Sequence, residues 1–230
     1  MRRRKSATVA RAFSSSSMTF QELYSSPWIL PALPCVALPI VLVLAARRKG
    51  FFRAWGLLFA VLIVVDAYVN GALTPVSAPG LATFFGITFV IVGDLRYFLA
   101  VERDKSRFFV PAAIGLALVV PVLSQIARAT LPAVAAELRV TYATYEVLFL
   151  AVLAAYYFLR VRTLDGARAF ATKLTLFEAV QYGLWASIDV LLLVTKRDAG
   201  YLLRIVPDVM YYVAFVPFVL RLAAKREEAP

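Results

Sequence analysis

Acidic side chains recur in stretches of this chain that are otherwise apolar. Residues 91–101 read IVGDLRYFLAV and residues 205–215 read IVPDVMYYVAF, so each run carries one aspartate, Asp94 or Asp208. Four more acids lie in comparable runs: Asp66, Glu146, Glu178 and Asp189. A charged side chain near the centre of a bilayer costs roughly 2.5–3.5 kcal/mol on insertion scales, so acids in such positions are functional candidates by default.

Few basic residues lie deep enough in the sequence to neutralise these acids. Arg96 is predicted to be the only comparably deep base, because Lys173 and Arg204 lie near predicted helix ends, from which long side chains reach the interface. Residues two apart point to different sides of a helix. Arg96 is therefore expected to pair with Glu178 of another helix rather than with Asp94.

Two pairs are expected within single helices. Asn70 lies one turn after Asp66 and can donate to its carboxylate, and Arg204 lies one turn before Asp208, where an ion pair is expected. The acids left over need a proton, which a buried carboxyl group takes up more readily, or a cation held in a hydrated cavity. The alternative for each acid is a structural hydrogen bond between helices, worth about 0.6 kcal/mol on average.

Prolines and aromatic residues accompany the acids. Pro207 immediately precedes Asp208 and Pro217 follows it. Proline kinks a helix, and broken helices near charged groups form the binding sites of many transporters. Several aromatic residues also lie deep in the predicted spans, where they line a cavity or, more often, pack in the core: Tyr97, Tyr182, Trp185, Tyr211 and Tyr212.

The elements that carry these residues are predicted to be membrane-spanning helices. The 230-residue chain is 62% hydrophobic, and its mean hydropathy is +0.78. Apolar runs of about 18 residues or more predict spanning helices. Such runs occur at 28–46, 54–73, 81–101, 109–127, 141–159, 171–194 and 203–220. The predicted fold is all-α: a polytopic bundle of seven transmembrane helices within residues 18–224, followed by a short tail, 225–230.

Composition excludes several kinds of site. The chain has no histidine, which removes imidazole metal ligands and catalytic triads that depend on a histidine base. Cys35 is the only cysteine, so neither an intrachain disulfide nor a cysteine-rich metal site can form. No cofactor and no metal are expected. The net charge of +11 lies mainly in short connections rather than on a folded aqueous face, which argues against nucleic-acid binding.

The basic residues predict how the chain is threaded. They concentrate at 47–53, 103–107 and 160–173 and in the C-terminal tail. By the positive-inside rule the N-terminus is outside and the C-terminus inside, in a plasma or inner membrane. Asp94 and Glu178 then lie deep or towards the inside. The other acids form an outward-facing acidic vestibule: Asp66, Glu146, Asp189 and Asp208.

The leader, residues 1–17, conflicts with this orientation because it carries five basic residues and no acid. Its Arg- and Ser-rich composition is typical of a cleaved transit peptide, which would place the protein in an organelle membrane. Alternatively the true start is Met18, or the leader is a disordered tail that is translocated. These three interpretations stay open, and residues 1–17 are left out of the fold.

An internal repeat is predicted from the two acid-bearing runs, which lie 114 residues apart and match at five of eleven positions. KGFFRAW (49–55) and DGARAF (165–170) match at nearly the same offset. Helices one to three would then correspond to helices five to seven, with the fourth as a linker. This parallel 3+1+3 architecture resembles that of the SWEET sugar transporters.

Microbial rhodopsins are similar in having seven helices, a ligand site within the bundle and an acid on the last helix. Tyr212 stands one turn after Asp208, where a retinal lysine would be required, so a retinal Schiff base is excluded. The second, fifth and sixth helices also lack the internal prolines of a SWEET-like transporter. Both resemblances therefore concern architecture alone.

The function favoured by the sequence is a transporter or channel with a proton- or cation-linked site built from intramembrane carboxylates. The expected partners are the lipid bilayer and a small solute or cation, and a homo-oligomer is compatible with the sequence. The alternatives are a seven-helix sensor or receptor for a small ligand, or a subunit of a membrane complex. An enzyme is not favoured. A remote alternative is an intramembrane aspartyl protease, since Asp66 and the Gly93-Asp94 half of a Gly-x-Gly-Asp motif lie on neighbouring helices.

Overall fold

The chain, described here from a computed structural model, is built from helices, and the structure covers residues 18–71, 73–103, 108–164 and 166–227. In chain order the helices are α1 (Phe20–Tyr24), α2 (Ala32–Ala46), α3 (Gly50–Val69), α4 (Pro79–Glu102), α5 (Phe109–Thr130), α6 (Pro132–Ala136), α7 (Leu138–Leu159), α8 (Arg168–Thr195), α9 (Gly200–Val209) and α10 (Phe215–Glu227). A 3-10 turn (Val161–Thr163) follows α7, and a π-helical turn (Met210–Ala214) joins α9 to α10. No strand occurs in these four ranges, which confirms the all-α prediction.

Among the described residues, six helices are long and apolar enough to cross a membrane: α3, α4, α5, α7, α8 and the continuous helix made of α9, the π turn and α10. The chain is therefore a helical bundle of the multi-pass membrane type. The first predicted span, 28–46, contains only the shorter apolar helix α2. At 1.5 Å per residue α2 is about 22 Å long, less than the roughly 30 Å of a hydrocarbon core. The count of seven spans therefore stays a prediction.

Proline explains why α2 starts late. Pro31 occupies the position before the first helical residue, and Trp28 to Leu30 form turns. The ring of a proline disfavours the helical conformation of the residue before it, so the helix does not extend back through Leu30. Pro39 lies inside α2, where it removes one backbone hydrogen bond.

The long helices and α2 form a closed ring. Each packs against the next in the order α2, α3, α4, α5, α7, α8 and α9–α10, and the last helix returns to α2. α4 and α8 also contact each other across the ring. Residues on these two facing surfaces therefore meet in the interior, away from lipid.

The ring has two ends that differ in composition. At one end, called here the α1 end, α1 contacts α9, and Glu137 before α7 pairs with Lys196 after α8. At the other, called the basic end, the Arg103 guanidinium lies 4.5 Å from the centre of the Phe52 ring. The described residues of the basic connections after α2, α4 and α7, among them Arg103 and Arg160, belong to this basic end.

α4 is most enclosed towards its C-terminal end. Five consecutive residues from Tyr97 to Val101 are all buried, so this turn has no lipid-facing side. By contrast, large apolar side chains such as Leu58, Val61 and Val147 are exposed on the outside of the ring. A bundle with an apolar outer surface and polar groups enclosed within it is suited to lipid.

The two halves of the predicted repeat differ locally. The residues that follow Asp94 are α-helical, whereas the residues that follow Asp208 form the π turn, which accommodates one extra residue per turn. The repeat therefore stays a prediction. The leader 1–17, residues 228–230 of the tail, and the connection residues 104–107 and 165 lie outside the described residues.

Candidate functional site

All six acids singled out in the sequence are buried inside the ring, each residue being 0% to 5% exposed: Asp66, Asp94, Glu146, Glu178, Asp189 and Asp208. They are held in two chemically different ways. Three have an arginine within ion-pairing distance, and three accept hydrogen bonds from neutral donors. The arrangement follows helix geometry, because the acids lie on the inward faces of α3, α4, α7, α8 and α9.

Asp189 is the centre of what we call the arginine cluster: Asp189, Glu146, Arg139 and Arg204. Arg139 Nη1 donates to Asp189 Oδ1 over 2.9 Å, and Arg204 donates to the same oxygen. Arg204 Nη2 also lies 3.9 Å from Glu146 Oε1. The expected ion pair between Arg204 and Asp208 is therefore wrong, because Arg204 pairs with Asp189 and Glu146. Arg204 reaches across to α7 and α8 instead of bonding within its own helix.

The expectation that Arg96 is the only deep base is also wrong. Arg139 and Arg204 are only 19% and 12% exposed, and both bind an aspartate that is fully buried. Both start near the α1 end, and their long side chains run inward rather than outward to the interface. The position of an arginine along its helix does not predict this inward direction, because a long side chain near a helix end can extend either towards the interface or into the bundle.

Arg96 is paired as expected, with Glu178. Its Nη2 lies 3.7 Å from Glu178 Oε1, and its Nη1 donates to the carbonyl oxygen of Tyr211 over 2.8 Å. The guanidinium also stacks between two rings, 3.9 Å from the centre of Tyr211 and 4.2 Å from that of Phe215. The π turn explains the carbonyl contact, because it interrupts the regular hydrogen-bond ladder at Tyr211.

Asp94 has a different environment, called here the phenol site: Asp94, Tyr145 and Tyr182. The hydroxyl of Tyr182 donates to Asp94 Oδ1 over 2.7 Å, and that of Tyr145 donates to Oδ2. The Asp94 side chain is 1% exposed. Arg96 and Glu178 are near enough to act on it electrostatically, but they carry opposite charges. Both oxygens are thus satisfied by neutral groups.

Asp66 is also held by neutral donors. Asn70 Nδ2 donates to Asp66 Oδ1 over 2.7 Å, as the one-turn spacing predicts, and the Tyr212 hydroxyl lies 3.3 Å from Oδ2. A narrow crevice beside Asp66 is bounded by Gly93, Arg96 and Tyr211, and is too tight to hold a solute. Asp66 therefore lies within the bundle rather than in an open vestibule.

Asp208 accepts a hydrogen bond from the indole of Trp185, with 3.0 Å between Nε1 and Oδ1. Its other oxygen has no hydrogen-bond partner among the described residues. Tyr24 of α1 lies beside Asp208 and Arg204. Burial raises the pKa of the Tyr24 phenol well above its ordinary value, the Asp208 charge raises it further, and Arg204 lowers it. Tyr24 is therefore a neutral hydroxyl at physiological pH.

An aromatic wall connects the three neutrally held acids. It consists of five side chains: Tyr145, Tyr182, Trp185, Tyr211 and Tyr212. Ring centres are separated by 5.3 Å between Tyr182 and Trp185, 5.6 Å between Trp185 and Tyr211, and 4.7 Å between Tyr211 and Tyr212. Four of these residues were noted in the sequence as cavity-lining candidates. Tyr145 was missed because nothing in the sequence distinguishes it from the other tyrosines of its helix.

Polar contacts continue towards the basic end. Tyr97, one turn after Asp94, shares a 2.7 Å hydrogen bond with Thr175, and the Tyr156 hydroxyl donates to Glu102. Glu102 is buried and lies 3.8 Å from Arg160 Nε. Glu102 was missed because it falls one residue beyond a predicted span. From Thr175 to Asp189, these polar groups follow α8 for about 21 Å.

The α1 end has an open pocket of mixed charge where the sequence predicted an acidic vestibule. The open pocket there has a volume of about 380 Å³, and its charged lining is mixed: Glu137, Arg139, Lys196, Arg197 and Asp198. Arg139 is shared between the pocket wall and the arginine cluster. The acids named for the vestibule lie below, buried, and Asp66 and Asp208 contact the aromatic wall.

No group of three or more acidic or cysteine side chains that could hold a metal ion is found in the described part of the chain. Asp66 and Asp94, the aspartates of the protease alternative, accept hydrogen bonds from different partners. An aspartyl protease requires two carboxyl groups that share a proton, and the hydrogen bonding here gives that alternative no support. No family model, curated protein or solved structure matches the chain.

Proposed function

We propose that this protein is a membrane transporter or channel whose conduction is linked to protons carried by buried carboxyl groups. This proposal rests on one observation: the buried acids fall into two groups, one paired with arginines and one bonded only to neutral donors. Asp66, Asp94 and Asp208 are each buried and bonded to neutral donors, while the interior arginines are engaged by the other three acids.

The physical argument concerns the cost of burying charge. An ionised carboxylate in a low-dielectric interior without a cationic partner costs several kcal/mol, and protonation removes most of that cost. Phenols, an amide and an indole can stabilise either form, because a hydrogen bond to a carboxyl oxygen survives protonation of the other oxygen. Groups in such surroundings can bind and release a proton when access to water changes.

A proton fits these sites better than a metal cation. Metal ions such as Ca²⁺ and Mg²⁺ need six or more oxygen ligands, or several waters, arranged around one point. The three carboxyl groups instead surround the aromatic wall from different helices. Tyr182 and Trp185 connect Asp94 to Asp208, and Tyr212 borders Asp66.

The first experiment tests whether the three groups carry protons. We expect infrared difference spectra of the purified protein, recorded across a pH titration, to contain C=O bands of protonated carboxyl groups. Asp94→Asn, Asp66→Asn and Asp208→Asn should each remove one component. Glu22→Gln is the matched control, because Glu22 is exposed on α1 and a glutamine preserves its capping role. If no such band is present in the wild-type protein, the proposal is wrong.

The second experiment tests transport itself. In liposomes loaded with a pH-sensitive dye, an imposed pH gradient should drive proton movement through the wild-type protein, in the presence of a panel of small solutes. Asp94→Asn should abolish this movement without loss of folded protein, and Glu22→Gln should retain it. Ligand-dependent thermal stabilisation without any flux would instead favour a sensor.

A further inference from the structure

The pocket at the α1 end has features that the proton-linked acids do not explain. Its volume of about 380 Å³ falls in the range of small-molecule sites, which is about 300–1,000 Å³. It lies where α7 and α8 reach the membrane surface, and its walls combine leucines with charged and phenolic groups. It is open to the solvent side, while the carboxyl groups below it are closed off.

The acids that line the pocket are already committed. Glu137 Oε1 pairs with Lys196 Nζ at 3.3 Å. Asp198 accepts from the backbone N–H groups of Phe20 and Gln21, so its carboxylate holds the start of α1. Glu137 is therefore taken up by an ion pair, and both oxygens of Asp198 accept hydrogen bonds from the backbone.

The basic groups of the pocket are not equally engaged. Arg139 donates to Asp189 and to the Tyr201 hydroxyl, at 2.9 Å and 3.1 Å. Arg197 is exposed and has no acidic partner in the residues that the structure describes. Since Arg139 pairs with Asp189 and Lys196 with Glu137, Arg197 is the cation of the lining that lacks an acidic partner among the described residues, and it lies beside the leucines of the pocket wall.

Lys196 adds an independent observation. It ends α8 in the left-handed conformation, with φ of 52°, and it is the only described non-glycine residue with positive φ. Glycine or asparagine is the usual residue at this position, because a side chain there is strained by about 1 kcal/mol. The lysine at this strained position places its ammonium group, which pairs with Glu137, at the wall of the pocket.

We propose that this pocket binds the anionic group, a carboxylate or a phosphate, of an amphiphilic ligand. Lys196 and Arg197 would supply the positive charge, the Tyr201 hydroxyl a hydrogen bond, and Leu138, Leu192 and Leu193 the apolar contact. The ligand is either a small organic anion from solution or the headgroup of an anionic lipid. Binding of an anion in this pocket is independent of the proposed function. Only the further step, that a soluble anion bound here is the transported solute, rests on the proposed function.

The test uses thermal unfolding of the full-length protein in a neutral detergent, at constant ionic strength maintained with chloride. Benzoate and inorganic phosphate serve as soluble probes. Nanodiscs of phosphatidylglycerol, compared with nanodiscs of phosphatidylcholine, serve as the lipid probe. We expect at least one of these anions to raise the Tm of the wild-type protein in a concentration-dependent manner.

Two substitutions locate the effect. Arg197→Gln and Lys196→Gly should each weaken the apparent affinity about tenfold, the loss expected for one charge-assisted hydrogen bond. Lys196→Gly should at the same time raise the Tm measured without ligand, because glycine relieves the strained backbone. That increase shows that the variant is folded. Lys196→Arg should retain binding.

The outcomes separate the possibilities. Stabilisation by benzoate or phosphate that is weakened in both variants supports a soluble anion, and stabilisation by phosphatidylglycerol alone supports a lipid headgroup. Stabilisation that both variants retain in full, or no stabilisation by any probe, overturns the proposal. Asp94→Asn should bind the anion normally, so a failure of proton transport and a failure of this pocket are distinguishable.

Discussion

The phenol site and the arginine cluster bury the same functional group in opposite ways. Asp94 and Asp189 are 1% and 0% exposed, yet Asp94 accepts from two neutral hydroxyl groups and Asp189 from two guanidinium groups. The cations fix the charge of Asp189, because protonating it would leave Arg139 and Arg204 without their shared partner. Asp94 has no such restraint. One site is therefore suited to stability and the other to changes of protonation.

The strongest test of this difference compares two isosteric substitutions. Asp189→Asn should destabilise the protein by about 3–5 kcal/mol, because removing one member of a buried ion pair leaves uncompensated charge. Asp94→Asn should change the free energy of unfolding by about 1 kcal/mol or less, since an amide preserves the shape and one acceptor. Unfolding by a denaturing detergent, followed by circular dichroism, measures both. Equal losses at the two sites would remove the distinction.

A smaller effect is expected where α4 packs closely against the aromatic wall. A Cβ atom added at Gly93 would lie 2.7 Å from the Tyr211 hydroxyl oxygen, so Gly93→Ala should cost about 1–3 kcal/mol by overpacking. Gly86 lies on the same helix with no atom within 4 Å of such a Cβ, and Gly86→Ala is the matched control. It should be neutral or slightly stabilising.

A second substitution sharpens that measurement. Tyr211→Phe removes the hydroxyl oxygen with which the new methyl group collides, so the double variant Gly93→Ala/Tyr211→Phe should recover part of the loss. A double-mutant cycle reports this coupling directly. Additive effects of the two substitutions would show that Gly93 and Tyr211 do not pack as described.

The smallest effect is expected from the phenols themselves. Tyr182→Phe should cost about 1 kcal/mol, the net value of one hydrogen bond. It should also shift the infrared C=O band assigned to Asp94, because one donor to the carboxyl group is lost. Tyr142→Phe is the control, since Tyr142 lies on the exposed side of α7. An unchanged Asp94 band in Tyr182→Phe would contradict the phenol site.

Much of the fold was predictable because it depends on local composition. Long apolar runs identify spanning helices irrespective of their neighbours, and the i, i+4 spacing of Asp66 and Asn70 is sufficient to predict their hydrogen bond. The pair between Arg96 and Glu178 followed from similar depth and opposite charge. Each of these inferences requires only the position of a residue along its own helix.

The remaining contacts depend on how the helices are rotated and which of them are neighbours. Arg204 has an acid one turn away on its own helix but bonds to Asp189 of α8, because the cross-helix partner is closer to its guanidinium. Only the three-dimensional structure distinguishes Tyr145 from the other tyrosines of α7, because its hydroxyl reaches Asp94 of α4. The late start of α2 depends on Pro31: the sequence shows that a proline disfavours helical backbone at Leu30, but not at which residue the helix begins.

The π turn between α9 and α10 has a geometric consequence. An α-helix advances by about 100° per residue, so moving the extra residue of this turn to another position would rotate the intervening side chains by that angle. Asp208 lies two residues before the start of the turn, and Tyr211 and Tyr212 lie within it. A displacement of the turn by one residue past Asp208, with no change elsewhere in the ring, would rotate its carboxyl group by about 100° away from Trp185.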